Sequence, residues 1–284
     1  MHSARGLLPV GHLCWGFADR AEFDARSAEY LADGLAAGQW IVYVGDGDAG
    51  SLRREFGRFD GGQQALDAGR AVVCVIDDFQ RFTGPGRVVD PEPSVEVQVT
   101  AAKKALTDGF TGVRAIVDGT PLARTPEQRE SLARLEHLLD RKMSVLPMSA
   151  LCAYDVSELG PSVVAELSCL HPFVGEGSTQ FRLYADEDTG LALAGEMDWV
   201  CHELFAATVS RIVSLSEPAE NRGVLDLDVG GVTFVDHHAL LALDAAARAR
   251  NTQVVLHSAA PIFRRLTGLL ACTNLCLPDG QGAV

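Results

Sequence analysis

The segment Val224–Ala249, VLDLDVGGVTFVDHHALLALDAAARA, decides how the chain is read. Val224–Leu227 predicts a buried strand, Gly230-Gly231 a turn, and Asp236 the start of a helix that runs to Arg250. An aspartate at such a start accepts a hydrogen bond from a backbone N–H that has no partner inside the helix. Strand, short connection and helix together form the repeating unit of an α/β fold.

The same rhythm extends towards the C-terminus. Phe181–Tyr184 and Leu191–Gly195 predict two strands joined by the polar turn Asp186–Gly190. Asp198–Leu215 predicts a helix with Trp199, Leu204, Ile212 and Val213 available for burial, Gln253–His257 another strand, and Pro261–Ala271 a last helix. The tail from Pro278 is expected to be loose.

Upstream, strands and helices alternate again. Gly11–Phe17, Trp40–Val44, Ala71–Ile76, Val113–Val117 and Ser144–Ala153 predict strands. Asp19 predicts a helix start, with Glu22 as capping-box partner. Pro93–Leu106 predicts a helix, and Thr125-Pro126-Glu127-Gln128 starts another whose Leu132, Leu135, Leu138 and Leu139 face a core. Strands without polar alternation, separated by helices, predict a mainly parallel sheet covered on both faces. The run His171-Pro172-Phe173-Val174-Gly175-Glu176-Gly177-Ser178 breaks the rhythm. It divides the chain into an N-terminal domain over 1–175 and a smaller C-terminal α/β domain with a mixed sheet over 178–284.

Composition narrows the function classes. A formal charge of −14 works against binding polyanions, so nucleic acid is not an expected partner. Seven cysteines, an odd number placed mostly in apolar runs, predict reduced buried thiols and a cytoplasmic location. The N-terminus lacks the pattern of a signal peptide, and no uncharged apolar run approaches the roughly 18 residues of a membrane span.

Gly45, Asp46, Asp48, Gly50 and Ser51 occupy the strand-to-helix turn where a phosphate-binding loop would lie. Such a loop uses a lysine to neutralise phosphate and a hydroxyl to hold Mg²⁺. Here Ser51 and Leu52 stand at those two places, and Asp46 and Asp48 add negative charge. The expectation is a degenerate loop, an acidic turn that caps the next helix.

The N-terminal domain resembles the MEDS family of DcmR-type sensory domains. The residues that carry this are His12-Leu-Cys14-Trp-Gly-Phe17, Phe23 with Tyr30-Leu31-Ala-Asp-Gly34-Leu35, Ile41-Val-Tyr43-Val44, Ala150-Leu-Cys152-Ala-Tyr154-Asp155 and His171-Pro172. The resemblance implies a degenerate RecA/KaiC-like fold without a working phosphate loop, and a role in sensing a small apolar ligand. His12, Cys14, Tyr43, Cys152, Tyr154 and His171 are the candidate sensory residues. His12, Cys14, Cys152 and His171 are also of types that suit zinc if the sheet brings them together. Their apolar strands favour buried structural roles, so neither metal nor cofactor is assigned.

The C-terminal domain resembles a STAS domain, the fold of anti-sigma-factor antagonists. The matching pieces are Leu191-Ala-Leu-Ala-Gly195-Glu-Met-Asp198, Val224-Leu-Asp-Leu-Asp228, Val232-Thr-Phe-Val-Asp236 and Gln253-Val-Val-Leu-His257. In the family's antagonists the aspartate precedes two hydroxyl residues and a glycine, and the second hydroxyl is phosphorylated by an anti-sigma kinase. This chain reads Asp236-His237-His238-Ala239, so serine phosphorylation has no acceptor there. Thr233, Asp236, His237, His238 and Ala239 are the candidate partner-binding loop.

The expected function is a non-enzymatic signalling regulator. A sensory domain is joined to a STAS-like domain that binds an anti-sigma factor or related kinase-fold protein, and control passes to the sensory domain. The alternatives are a RecA-like nucleotide-binding protein or pseudoenzyme, and a scaffold subunit of a larger STAS assembly. A homo-oligomer is compatible with either.

Overall fold

The computed structural model describes residues 1–6, 11–215 and 223–278. The chain is α/β throughout and divides into two compact units, Met1–Ser178 and Thr179–Val284. The tail expected to be loose lies, beyond Pro278, outside the described residues.

In the first unit the elements run β1 (Gly11–Phe17), α1 (Arg20–Ala36), β2 (Trp40–Gly45), α2 (Ala49–Phe56), α3 (Gly62–Asp67), β3 (Ala71–Val75) and α4 (Ile76–Phe79). The small hairpin β4 (Phe82–Thr83) and β5 (Val88–Val89) follows, then α5 (Pro91–Thr107), β6 (Val113–Asp118) and a 3-10 turn at Thr120–Leu122. Last come α6 (Pro126–Met143), β7 (Met148–Asp155), α7 (Val156–Leu159), α8 (Pro161–Ser168) and β8 (Phe173–Val174). Six strands form one sheet in the order β3-β2-β6-β7-β1-β8, with each described pairing parallel.

Both faces of this sheet are covered, which is why its strands read as unbroken apolar runs. Leu13, Trp15, Phe17, Ile41 and Tyr43 face a core closed by α1, α2 and α3 through Phe23, Tyr30, Leu31, Phe56 and Leu66. Cys14, Val42, Val44, Cys152 and Tyr154 face the opposite core, closed by α5, α6 and α8 through Val95, Leu132, Leu135, Leu139 and Leu167. Successive side chains of one strand therefore belong to different cores.

Local caps set the helix starts. Asp19 accepts from the N–H of Glu22 at 2.9 Å. The Glu22 carboxylate turns instead to Ala18 N and Trp15 Nε1, both at 2.9 Å, so the reciprocal half of the expected capping box is shifted by one residue. Thr125 and Gln128 form a complete capping box at α6, at 3.2 Å and 3.0 Å. The strand expected from Ser144 begins at Met148, because the last turn of α6 continues through Ser144 N to Asp140 O and Leu146 N to Lys142 O.

The second unit holds β9 (Phe181–Asp186), β10 (Gly190–Met197), α9 (His202–Leu215), β11 (Val224–Val235), α10 (His237–Ala249), β12 (Gln253–His257), α11 (Pro261–Leu269) and β13 (Leu275–Cys276). Its five strands lie in the order β13-β12-β11-β10-β9, antiparallel between β9 and β10 and parallel elsewhere, a mixed sheet. The hairpin turns on Asp186, whose Oδ1 accepts from Asp188 N, Thr189 N and Thr189 Oγ1.

The opening segment departs from its sequence reading. Gly230-Gly231 does not end a strand; β11 runs through it to Val235, with register shifts against β10 between Ala192 and Ala194 and between Gly195 and Glu196. Glycine is needed for close approach here: a Cβ on Gly231 would sit 2.8 Å from the Cβ of Ala194. Gly195 answers it from β10 with φ +97°, where a Cβ would meet Gln180 O at 2.3 Å. The helix expected from Asp198 starts at His202, leaving Trp199 in the preceding turn and 73% exposed, whereas Ile212 and Val213 are buried as expected.

Candidate functional site

A buried polar cluster lies beneath α6, within the otherwise apolar core on that face of the first sheet. β1 contributes His12 and Cys14, which share a face because they are two residues apart. β7 contributes Cys152 and Tyr154 on the same face, with Cys14 and Cys152 directly opposite in register. α6 contributes Glu136 and Asp140, one helical turn apart. His171 enters from the turn after α8, its Nδ1 held 2.9 Å from Leu167 O.

The contacts converge on Glu136. Its Oε1 accepts from the Tyr154 hydroxyl at 2.6 Å, and its Oε2 lies 3.1 Å from His12 Nε2. The other ring nitrogen of His12 lies 3.2 Å from Asp140 Oδ1. Cys152 Sγ lies 3.5 Å from His12 Nε2 and 3.7 Å from Glu136 Oε2. His171 Nε2 is 3.7 Å from Glu136 Oε2, and the two imidazole rings lie 3.9 Å apart. Cys14 Sγ reaches Ser168 Oγ at 3.3 Å.

Burial separates the charge states of these groups. It opposes the charge on Glu136, but the hydrogen bond from His12, the charges of both histidines and the Tyr154 hydroxyl outweigh it and hold the carboxyl at about 2. Burial likewise opposes a charged His12, yet Cys152, Asp140 and Glu136 together keep its pKa well above the usual imidazole value. Burial and then the Glu136 charge push the Cys152 thiol up to about 11. Burial, aided by His12, brings His171 down to about 3.

The ligand atoms of His12, Glu136, Cys152 and His171 all lie within 4.8 Å of one another. These are the residues that could hold a metal ion. Beside them is a small cavity of about 20 Å³ lined by Glu136, Cys152 and Tyr154 together with Gln98, Leu135 and Leu139. That is room for a single water molecule.

The fold thus brings together five of the six candidate sensory residues, His12, Cys14, Cys152, Tyr154 and His171. Tyr43 is not among them. It faces the opposite core, donates to Glu55 Oε1 at 2.6 Å and accepts from Arg20 Nη2 at 3.1 Å. Glu136 and Asp140 were not expected from the sequence. Their signal is a carboxylate at core positions of α6, in register with Leu132, Leu135, Leu139 and Met143, where the helix pattern calls for apolar residues.

At the turn after β2, Asp48 caps α2 by accepting from Ser51 N at 2.9 Å. The Ser51 hydroxyl takes Arg54 Nη2 at 2.8 Å, and Asp46 takes Arg87 Nη2 at 3.1 Å. Gly47 carries the positive φ of this turn, while Gly45 closes on Leu52. A carboxylate occupies the helix end that a phosphate would use.

In the second unit, Asp236 caps α10 by accepting from Ala239 N at 3.0 Å, and its other oxygen lies 3.3 Å from His238 Nδ1. The rings of His237 and His238 are 3.9 Å apart, with His202 5.8 Å from His238 and stacked beside Trp199. Thr233 is held away from this group, donating to Gly195 O at 3.1 Å, and Ala239 is buried. Trp199, Val200, Phe234 and Leu241 are exposed around the same end of β10 and β11. Parallel pairing of these strands is what puts both C-terminal ends at one edge.

Comparison with known families follows this division. A family model described as "MEDS: MEthanogen/methylotroph, DcmR Sensory domain" matches residues 11–172, more than half of the chain's 284. The matched span begins at β1 and ends at Pro172, one residue after the last member of the buried cluster. No curated protein matches the chain.

Proposed function

From the premise that the chain belongs to the MEDS family of sensory domains, we propose that it is a non-enzymatic signalling regulator whose second unit is a STAS-like partner-binding module. The first unit is the input. Its buried cluster under α6 is the place where a signal would act, because it gathers imidazole, thiol and carboxyl groups inside the core of the family-matched segment. The second unit is the output, with an anti-sigma factor or related kinase-fold protein as its partner.

One observation carries the output reading. The central strand of the mixed sheet ends in an exposed, Asp236-capped helix start, surrounded by the exposed apolar side chains Trp199, Val200, Phe234 and Leu241. Apolar residues gathered at one edge suit a protein partner better than solvent. His237-His238-Ala239 offers no hydroxyl for phosphate, so binding here is constitutive and control lies with the first unit.

Affinity capture by the full chain from its own host's extract tests this reading. Recovery of a kinase-fold regulator, lost with His238→Glu, is the expected result; a negative charge at that point acts as a phosphate would. Recovery of no such protein would contradict it. The nucleotide-binding alternative rests on the turn Gly45–Ser51. Calorimetry with Mg²⁺ and ATP is expected to show no binding, since Asp48 already takes the helix end and no lysine stands in the loop.

A further inference from the structure

We propose that His12 Nε2, Glu136 Oε2, Cys152 Sγ and His171 Nε2 form a mononuclear, tetrahedral zinc-type metal centre inside the first unit. It stands on the geometry of that unit alone and holds whether or not the second unit binds a kinase-fold partner.

Four of the six donor–donor distances are close to those of a ligand tetrahedron, and the other two are within 4.8 Å. Zinc binds nitrogen and oxygen at about 2.0–2.2 Å and thiolate at about 2.3 Å, which places neighbouring donors roughly 3.3–3.6 Å apart. Here the separations are 3.1 Å for His12 to Glu136, 3.5 Å for Cys152 to His12, and 3.7 Å for both Cys152 to Glu136 and His171 to Glu136. Four separate elements supply these atoms, so their convergence does not follow from one local turn.

Three of the four donors are also oriented by an outer partner, as metal ligands are. Asp140 Oδ1 accepts from His12 Nδ1, and Leu167 O accepts from His171 Nδ1, which turns each Nε2 inward. Tyr154 occupies the outer oxygen of Glu136 and leaves the inner one for the ion. The independent sign of a ligand is His171 itself. Its side chain is fully buried, yet Nε2 has no hydrogen-bond partner and points towards Glu136. A buried polar atom left without a partner calls for an explanation, and a metal ion supplies one.

The donor set selects the ion. Two imidazoles, a carboxylate and a thiolate are too soft for Mg²⁺ or Ca²⁺, and four protein donors in a tetrahedron suit Zn²⁺. On loading, the Cys152 S–H and the His12 Nε2–H each lose a proton to solvent, and the thiolate and the freed imidazole nitrogen bind the ion. With thiolate and carboxylate the ion makes a centre of zero net charge, which a buried position tolerates. With four protein donors the site resembles a structural centre rather than an open catalytic one.

The test is metal analysis and cobalt substitution on the full chain, without a histidine tag. The expected result is one zinc per chain. Refolding with Co²⁺ is expected to give the strong d–d bands of a tetrahedral site and a thiolate-to-cobalt charge-transfer band. Cys152→Ser removes that band, whereas Cys14→Ser keeps it. Asp140→Asn weakens Co²⁺ affinity by about 10–100-fold, as loss of an outer partner does. Should Cys152→Ser fail to fold, the wild-type cobalt spectrum alone decides. A folded wild-type chain that takes up no stoichiometric zinc or cobalt overturns the proposal, as does a charge-transfer band that survives Cys152→Ser.

Discussion

Glu136 is the residue on which the first unit's polar core depends. It accepts from Tyr154 and His12 and faces Cys152 and His171, all in a core otherwise closed by leucines. In chelator, Glu136→Ala leaves a buried His12 and a buried tyrosine hydroxyl without their shared acceptor. Breaking a buried ion pair from one side costs about 3–5 kcal/mol. Urea denaturation monitored by circular dichroism is expected to show a loss of this order; a loss below about 1 kcal/mol would mean that the pair contributes little. Tyr43→Phe is the contrast. It removes one partly buried hydrogen-bonding group on the opposite face, with an expected loss of about 0.5–1.5 kcal/mol and no change in the cobalt spectrum. The histidines and cysteines of the cluster were legible through the motifs that carry the family resemblance, not through burial, since cysteine is common in apolar strands. Glu136 was not, since an acid on an amphipathic helix is ordinarily solvated. Tyr43 was grouped with them although β2 turns it to the other core, and only the pairing of β2 with β6 and β3 settles which face that is.

At the scale of elements, α10 depends on its first residue and β11 on its glycines. Asp236→Ala removes the side-chain cap at that helix start, and is expected to lower stability by about 1 kcal/mol, within the range of about 0.5–2 kcal/mol for such caps. Thermal unfolding of the full chain measures it, and Asp236→Asn, which keeps an accepting oxygen, is expected to restore most of the loss. Gly195→Ala is more severe. The residue sits at φ +97° against Gln180 O, so a side chain meets both strain and a clash, with an expected cost of about 1–3 kcal/mol for the strain alone. Three helix starts were legible because capping chemistry is local: Asp19, Thr125 and Asp236 each hold the N–H that their position predicts, whereas Asp198 closes a turn ahead of α9. Strand ends were less so. Gly230-Gly231 has the composition of a turn, but its neighbour Ala194, distant in sequence, makes it a close-packed stretch of β11. The start of β7 shifted for a similar reason, since α6 carries its hydrogen bonding past Met143.

For the whole molecule, alternation of apolar strands and helices was enough to establish an α/β chain with one parallel and one mixed sheet. The family match ends at Pro172, and the proposed STAS-like character of the second unit is carried by β11, the Asp236-capped start of α10 and the exposed side chains around them. No helix among the described residues is long and apolar enough to cross a membrane, so the exposed apolar side chains at the end of β10 and β11 belong to no spanning helix. The central claim is that this edge meets a kinase-fold regulator. The direct measurement is photo-crosslinking in the native host, with a photoreactive phenylalanine analogue at Leu241 on α10 and, for comparison, at Leu106 on α5; both positions are exposed. The account predicts an adduct with a kinase-fold protein from position 241 and none from position 106. Absence of that adduct at 241, or equal crosslinking from both positions, would contradict it.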